Sequence, residues 1–149
     1  MGRKSAYRPV MGILSDFYVA PRSAAQDVLA GNTSKLKKLE GKSIDGVKLA
    51  SLEKITAKTL GAKAKAGDTE LLTDEEAEQW VFLVSPSLIP LLAKAGAKTA
   101  AIAKAWAATA EMKADGFTPA TAKKFLDDLV ALAGIATKAK KDLLLKMSL

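Results

Sequence analysis

Asp16 is the one acid in this chain with an unusual sequence setting, inside Gly12-Ile13-Leu14-Ser15-Asp16-Phe17-Tyr18-Val19-Ala20, a run rich in strand formers. Partial burial there would raise its pKa toward neutrality and let it exchange protons, the chemistry a carboxylate-based hydrolase needs. On an alternating strand the same side chain shares a face with Leu14 and Tyr18 and can equally point to water. A hydrolase also needs a second acid reaching the same substrate atom. Asp127 and Asp128 do not supply such a pair, because adjacent residues on a helix diverge by about 100°. Asp74, Glu75, Glu76 and Glu78 lack the ligand spacing of a calcium-binding loop.

Gly41-Lys42-Ser43 has the residue types that end a phosphate-binding loop. Leu36, however, stands where such a loop needs its first glycine, and Asn32-Thr33-Ser34 stand where a buried strand should precede it. The triplet therefore reads as a turn ahead of a helix. The chain has no cysteine and no histidine, which excludes disulfides and Ser-His-Asp, Cys-His and zinc-histidine chemistry. No cofactor and no metal are expected. The leading expectation is a non-enzymatic protein-interaction module.

Charge offers an alternative. Lys35 to Lys65 holds nine lysines against three acids, and a nonspecific nucleic-acid binder would use Lys35, Lys37, Lys38 and Lys42 against phosphate. Of the 23 basic residues 20 are lysine, so few guanidinium groups are available for bidentate contacts. The acids clustered over 66–80 can instead balance a solubilising lysine face. For protein contacts the candidates are Asp16, Tyr18, Asp45 and Trp106. A buried Trp106 would be a core anchor and an exposed one a partner surface. The Ala-rich stretch Ala100–Ala110 permits close helix packing, including across a homodimer.

These residues need a scaffold, and 149 residues suffice for one domain with its own core. Residues 1–10 read as a basic, flexible lead-in, and 11–149 as a single α+β domain. A first strand over 12–20 precedes a short helix from Pro21 to Ala30, stopped by Gly31. Asn32 to Gly41 fits either a short strand or a loop. Asp45 caps a helix running to Leu60 before Gly61, and 62–68 reads as a linker. Thr73 and Glu76 have the spacing of a capping box. Trp80–Val84 reads as a central strand buried on both faces. Ser87 opens a helix that Gly96 breaks. Ile102, Trp106, Thr109 and Met112 mark the next helix, and Thr118-Pro119 opens the last, with a stripe of Phe125, Leu129, Leu132 and Ile135. Leu143, Leu145, Met147 and Leu149 alternate as a half-buried final strand. The expected result is a small sheet containing the N-terminal and C-terminal strands, with Ala/Lys-rich helices covering one face.

Met11-Gly12-Ile13-Leu14, Ser43-Ile44-Asp45-Gly46, VFLVSPSLIPLLA over 81–93 and FLDDLVALAGIATKAKKDLLLKMSL over 125–149 resemble, in order, the landmarks of the YfbM-like bacterial family of unknown function. Gly46 and Val47 follow Asp45 where that family has a lysine and a tryptophan. The resemblance implies an α+β fold and a cytoplasmic bacterial protein, and it carries no activity across. No apolar run reaches the roughly 20 residues that span a bilayer, and the N-terminus lacks a signal-peptide pattern, so no membrane association and a cytoplasmic location are expected.

Overall fold

The structure is a computed structural model that describes residues 13–64 and 68–149; the expected lead-in over 1–10 and part of the 62–68 linker lie outside the described residues. Among the described residues five strands form one antiparallel sheet in the order β2-β1-β5-β4-β3, built from β1 (Leu14–Ala20), β2 (Lys38–Lys42), β3 (Thr69–Asp74), β4 (Gln79–Leu83) and β5 (Asp142–Ser148). The helices are α1 (Ala25–Ala30), α2 (Gly46–Leu60), α3 (Leu88–Ala93), α4 (Thr99–Ala107), α5 (Ala110–Ala114) and α6 (Pro119–Ala139). The class is α+β, with the N-terminal and C-terminal strands side by side.

Local chemistry accounts for most element ends. Gly31 and Gly61 close α1 and α2 in the left-handed region, at φ 86 and 71, where a Cβ would be strained. Asp45 accepts the Lys48 N–H at 3.0 Å and caps α2. Thr118 and Thr121 exchange side-chain and backbone bonds at the start of α6, with Pro119 at its first position.

Several expectations are corrected. Thr73 and Glu76 do not start a helix. Thr73 lies in β3, and the Asp74 side chain accepts the Ala77 N–H at 3.2 Å to turn the chain into β4. A short acid that catches an N–H three residues on serves a turn as well as a helix cap, so the pattern fits both. The central strand is β5 rather than β4, because the chain end inserts between β1 and β4. Nor is β5 half-buried at its start, since Leu143, Leu144 and Leu145 are all fully buried. The cause is a second helical layer. Helices α2 to α6 build the main core on one face, with Phe17, Val19, Leu143 and Leu145 meeting Leu49, Leu52, Trp106, Leu126 and Leu129. On the other face α1 brings Ala25 and Val28 onto Tyr18, Val81, Leu83 and Leu144, so helices do not cover one face alone.

The helix expected over Ile102–Met112 is two. Thr109 is extended, and its hydroxyl donates to the Trp106 carbonyl at 2.7 Å, ending α4 before α5 begins. The apolar stripe of α6 is also rotated from the expected one. Ala122, Leu126, Leu129, Leu132, Ala133 and Ala136 face the core, whereas Ile135 is 41% exposed. Alanines here admit close packing against α3 and α4, which hydrophobicity alone does not register.

Candidate functional site

β1 and β2 form one rim of the sheet, and the hydrogen-bond ladder fixes what that rim presents. The Val19 N–H donates to the Lys37 carbonyl and the Ser43 N–H to the Ile13 carbonyl, both at 3.0 Å. Odd-numbered residues of β2 therefore bond to β1. The backbone groups of Lys38, Glu40 and Lys42 consequently point away from the sheet, where no described strand meets them.

The side chains of these three residues share a face with Leu14, Asp16 and Tyr18, through the pairs Leu14 with Lys42, Asp16 with Glu40 and Tyr18 with Lys38. Leu14, Asp16, Glu40, Gly41 and Lys42 line a depression of about 290 Å³. Partial burial raises the pKa of the Asp16 carboxyl, and the Glu40 charge raises it further, while Lys38 and Lys146 oppose both. Lys38 Nζ sits 3.1 Å from Glu40, which holds the lysine charged. Lys146, opposite Asp16 on β5, donates to the Leu29 carbonyl at the end of α1, at 3.3 Å.

Gly41 is needed for packing. A Cβ there would lie 2.9 Å from Phe125 Cε1 and 3.1 Å from the Ser15 carbonyl oxygen, so any larger residue would push the Phe125 ring of α6 and the β1 backbone away from β2. Ser43 follows at φ 60, and Ile44 N–H donates to Ser15 Oγ at 3.0 Å. The Gly41-Lys42-Ser43 triplet is a strand end and a turn, consistent with its sequence context.

The four interaction candidates divide into two pairs. Asp16 and Tyr18 lie on the rim face, but Tyr18 is only 6% exposed and belongs to the smaller core. Trp106 is fully buried, its indole N–H donating to the Lys48 carbonyl at 2.9 Å, so it anchors the core and is not a partner surface. Asp45 belongs to the same helix-side network. Lys48, 3% exposed, pairs with Asp115 and lies 3.7 Å from Asp45 Oδ2.

The basic segment also divides. Lys38 and Lys42 lie on β2, with Lys35 and Lys37 just before it, whereas Lys54 and Lys58 lie on α2. β2 packs on β1 and α6, while α2 packs on α3, α4 and α5.

A second polar array has no signature in the sequence, because its members lie up to 34 residues apart. Asp68 Oδ1 accepts the Ser85 N–H at 3.1 Å, Ser85 Oγ lies 3.1 Å from Ser87 Oγ, and Ser87 donates to Glu53. Asp68 Oδ2 is buried and has no hydrogen-bond partner among the described residues, and burial lifts the Asp68 pKa to about 6, helped by Glu53 and Asp45. Asp68 borders a cleft of about 460 Å³ together with Asp45, Gly46, Val47, Phe82 and Met147. Only tertiary contact assembles this array, just as the stretch Asn32 to Gly41, which in sequence fits a strand or a loop, shows itself as the strand carrying Glu40 only in the structure. Among the described residues no group of three or more acidic side chains is arranged to hold a metal ion, and no helix is long and apolar enough to cross a membrane.

No protein-family model, curated protein or solved structure matches this chain.

Proposed function

We propose that this protein is an interaction module that takes up an extended acidic segment of a partner as an added strand along β2. One observation carries the reading: β2 is an edge strand whose outward backbone donors and acceptors, at Lys38, Glu40 and Lys42, meet no described strand. Strand addition draws its affinity from such main-chain groups and its selectivity from hollows that take alternate side chains. The depression beside Asp16 lies on the face that an added strand would extend. Lys35, Lys37, Lys38 and Lys42 outnumber Glu40 along this rim, which favours an acidic partner.

The rim supports hydrolysis less well. Asp16 and Glu40 face each other across the strands, but Leu14 at the rim of the depression is 45% exposed, so water has free access to the pair.

Fluorescence anisotropy with a labelled peptide of alternating glutamate and valine tests the proposal. Glu40→Pro removes an outward N–H while leaving the β1 ladder intact, and it should weaken binding at least tenfold. Duplex DNA is the control. Binding to DNA that disappears with added salt and ignores Glu40→Pro would favour the nucleic-acid alternative, and no peptide binding at low salt would remove strand addition.

A further inference from the structure

We propose that the acidic segment received by β2 is the β3 edge of a second copy of this chain, so that copies join head to tail into a continuous sheet. This inference rests on the reading of β2 as a docking edge.

β3 ends the sheet on the side opposite β2. The Val84 N–H donates to the Leu143 carbonyl and the Leu149 N–H to the Glu78 carbonyl, so even-numbered residues of β4 bond to β5. Gln79, Val81 and Leu83 therefore bond to their β3 partners Asp74, Leu72 and Thr69. Thr73 is left with its N–H and carbonyl directed outward, and no described strand meets them.

Charge selects which edges meet. Residues 35–42 carry four lysines against Glu40, whereas 69–80 carry Glu70, Asp74, Glu75, Glu76 and Glu78 with no basic residue. Two β2 edges, or two β3 edges, would set like charges against each other, which destabilises a strand pair. A β2 edge against a β3 edge sets opposite charges together. Charged edges ordinarily guard a sheet against aggregation. With opposite signs at its two ends, this sheet repels like edges and admits the unlike one. The contact is heterologous, so an open assembly keeps one free β2 edge at one end and one free β3 edge at the other, and growth stops only if the rotation closes a ring.

Sedimentation of the full chain over a range of concentrations tests this. The weight-average mass should rise with concentration in about 20 mM salt and fall toward the monomer in about 0.5 M, where screening is several-fold shorter in range. Glu40→Pro disables β2 and Thr73→Pro disables β3, so each variant alone should remain monomeric. Mixed in equal amounts they should form a dimer and nothing larger, because each retains the edge the other lacks. Lys38→Glu with Lys42→Glu reverses β2 without touching the backbone, serves if a proline variant unfolds, and should likewise be monomeric. A wild-type protein that stays monomeric at every concentration, variants that assemble like wild type, or a mixture that stays monomeric overturns the inference. If the wild type is monomeric yet binds the acidic peptide, the docking edge survives and only self-assembly falls; if neither occurs, both fall.

Discussion

On the helix side of the sheet Lys48 is enclosed between Asp115 and Asp45, with its own carbonyl holding the Trp106 indole. At the β1–β2 rim Asp16 meets Glu40, Lys38 and Lys146 on a face open to water. Both places gather charges of both signs, but they use them differently. An enclosed charge loses its hydration and is tolerated only when paired and hydrogen-bonded, so the helix-side charges are committed to the fold. Charges at the rim remain hydrated and screened, contribute little to stability, and are free to rearrange around a partner. Asp68 falls between the two, since it is largely enclosed yet has no described cation beside it.

Breaking the helix side should cost most. Trp106→Ala removes the largest fully buried side chain and its hydrogen bond, and denaturant unfolding should show a loss of about 3–5 kcal/mol. Lys48→Met leaves Asp115 and Asp45 without their cation. Because both acids retain some exposure, the expected loss in denaturant unfolding is about 2–3 kcal/mol at pH 7.

Asp68 should show the opposite sign. Its folded pKa is raised from 3.8 to about 6, so the stability contributed by its neutral form is fully present below 3.8 and lost as pH rises through about 6. Asp68→Asn should therefore raise stability at pH 7.5, by about 1–2 kcal/mol after allowing for partial solvation, and have little effect at pH 3.5. Thermal melts at the two pH values check this, and an equal shift at both would mean that the substitution acts through packing rather than ionisation. Smallest of all, Glu40→Pro should change stability by about 0.5 kcal/mol or less, because the donor it removes is directed to solvent and the Lys38–Glu40 ion pair lost with it is exposed. A large loss there would show that the rim is committed to the fold, like the helix side.

Elements whose ends are set by short-range chemistry were legible in the sequence. Gly31 closes α1, which Pro21 opens only by way of a 3-10 turn over Arg22–Ala24, Asp45 and Gly61 bracket α2, and Thr118-Pro119 opens α6. Thr73 and Glu76 misled because a cap and a turn use the same side-chain bond, and the choice between them falls to Leu71 and Leu72, which pack into the smaller core. Half of the candidate site could be named in advance. Asp16, Lys38 and Lys42 were identified, but nothing in the chain set Glu40 opposite Asp16 until the register of β1 and β2 was known.

The sequence by itself determined the α+β class, the adjacency of types that make strands and helix ends, the absence of cysteine and histidine chemistry, and the opposite signs of the basic and acidic segments. These depend on composition and on residues within a turn of one another. Tertiary structure alone decided that β5 lies at the centre, that Trp106 is buried against Lys48, and that the basic and acidic segments end on opposite edges of one sheet. Each of those outcomes joins residues far apart in the chain, and the free energy that selects them is the burial of both faces of the sheet, which no local pattern encodes.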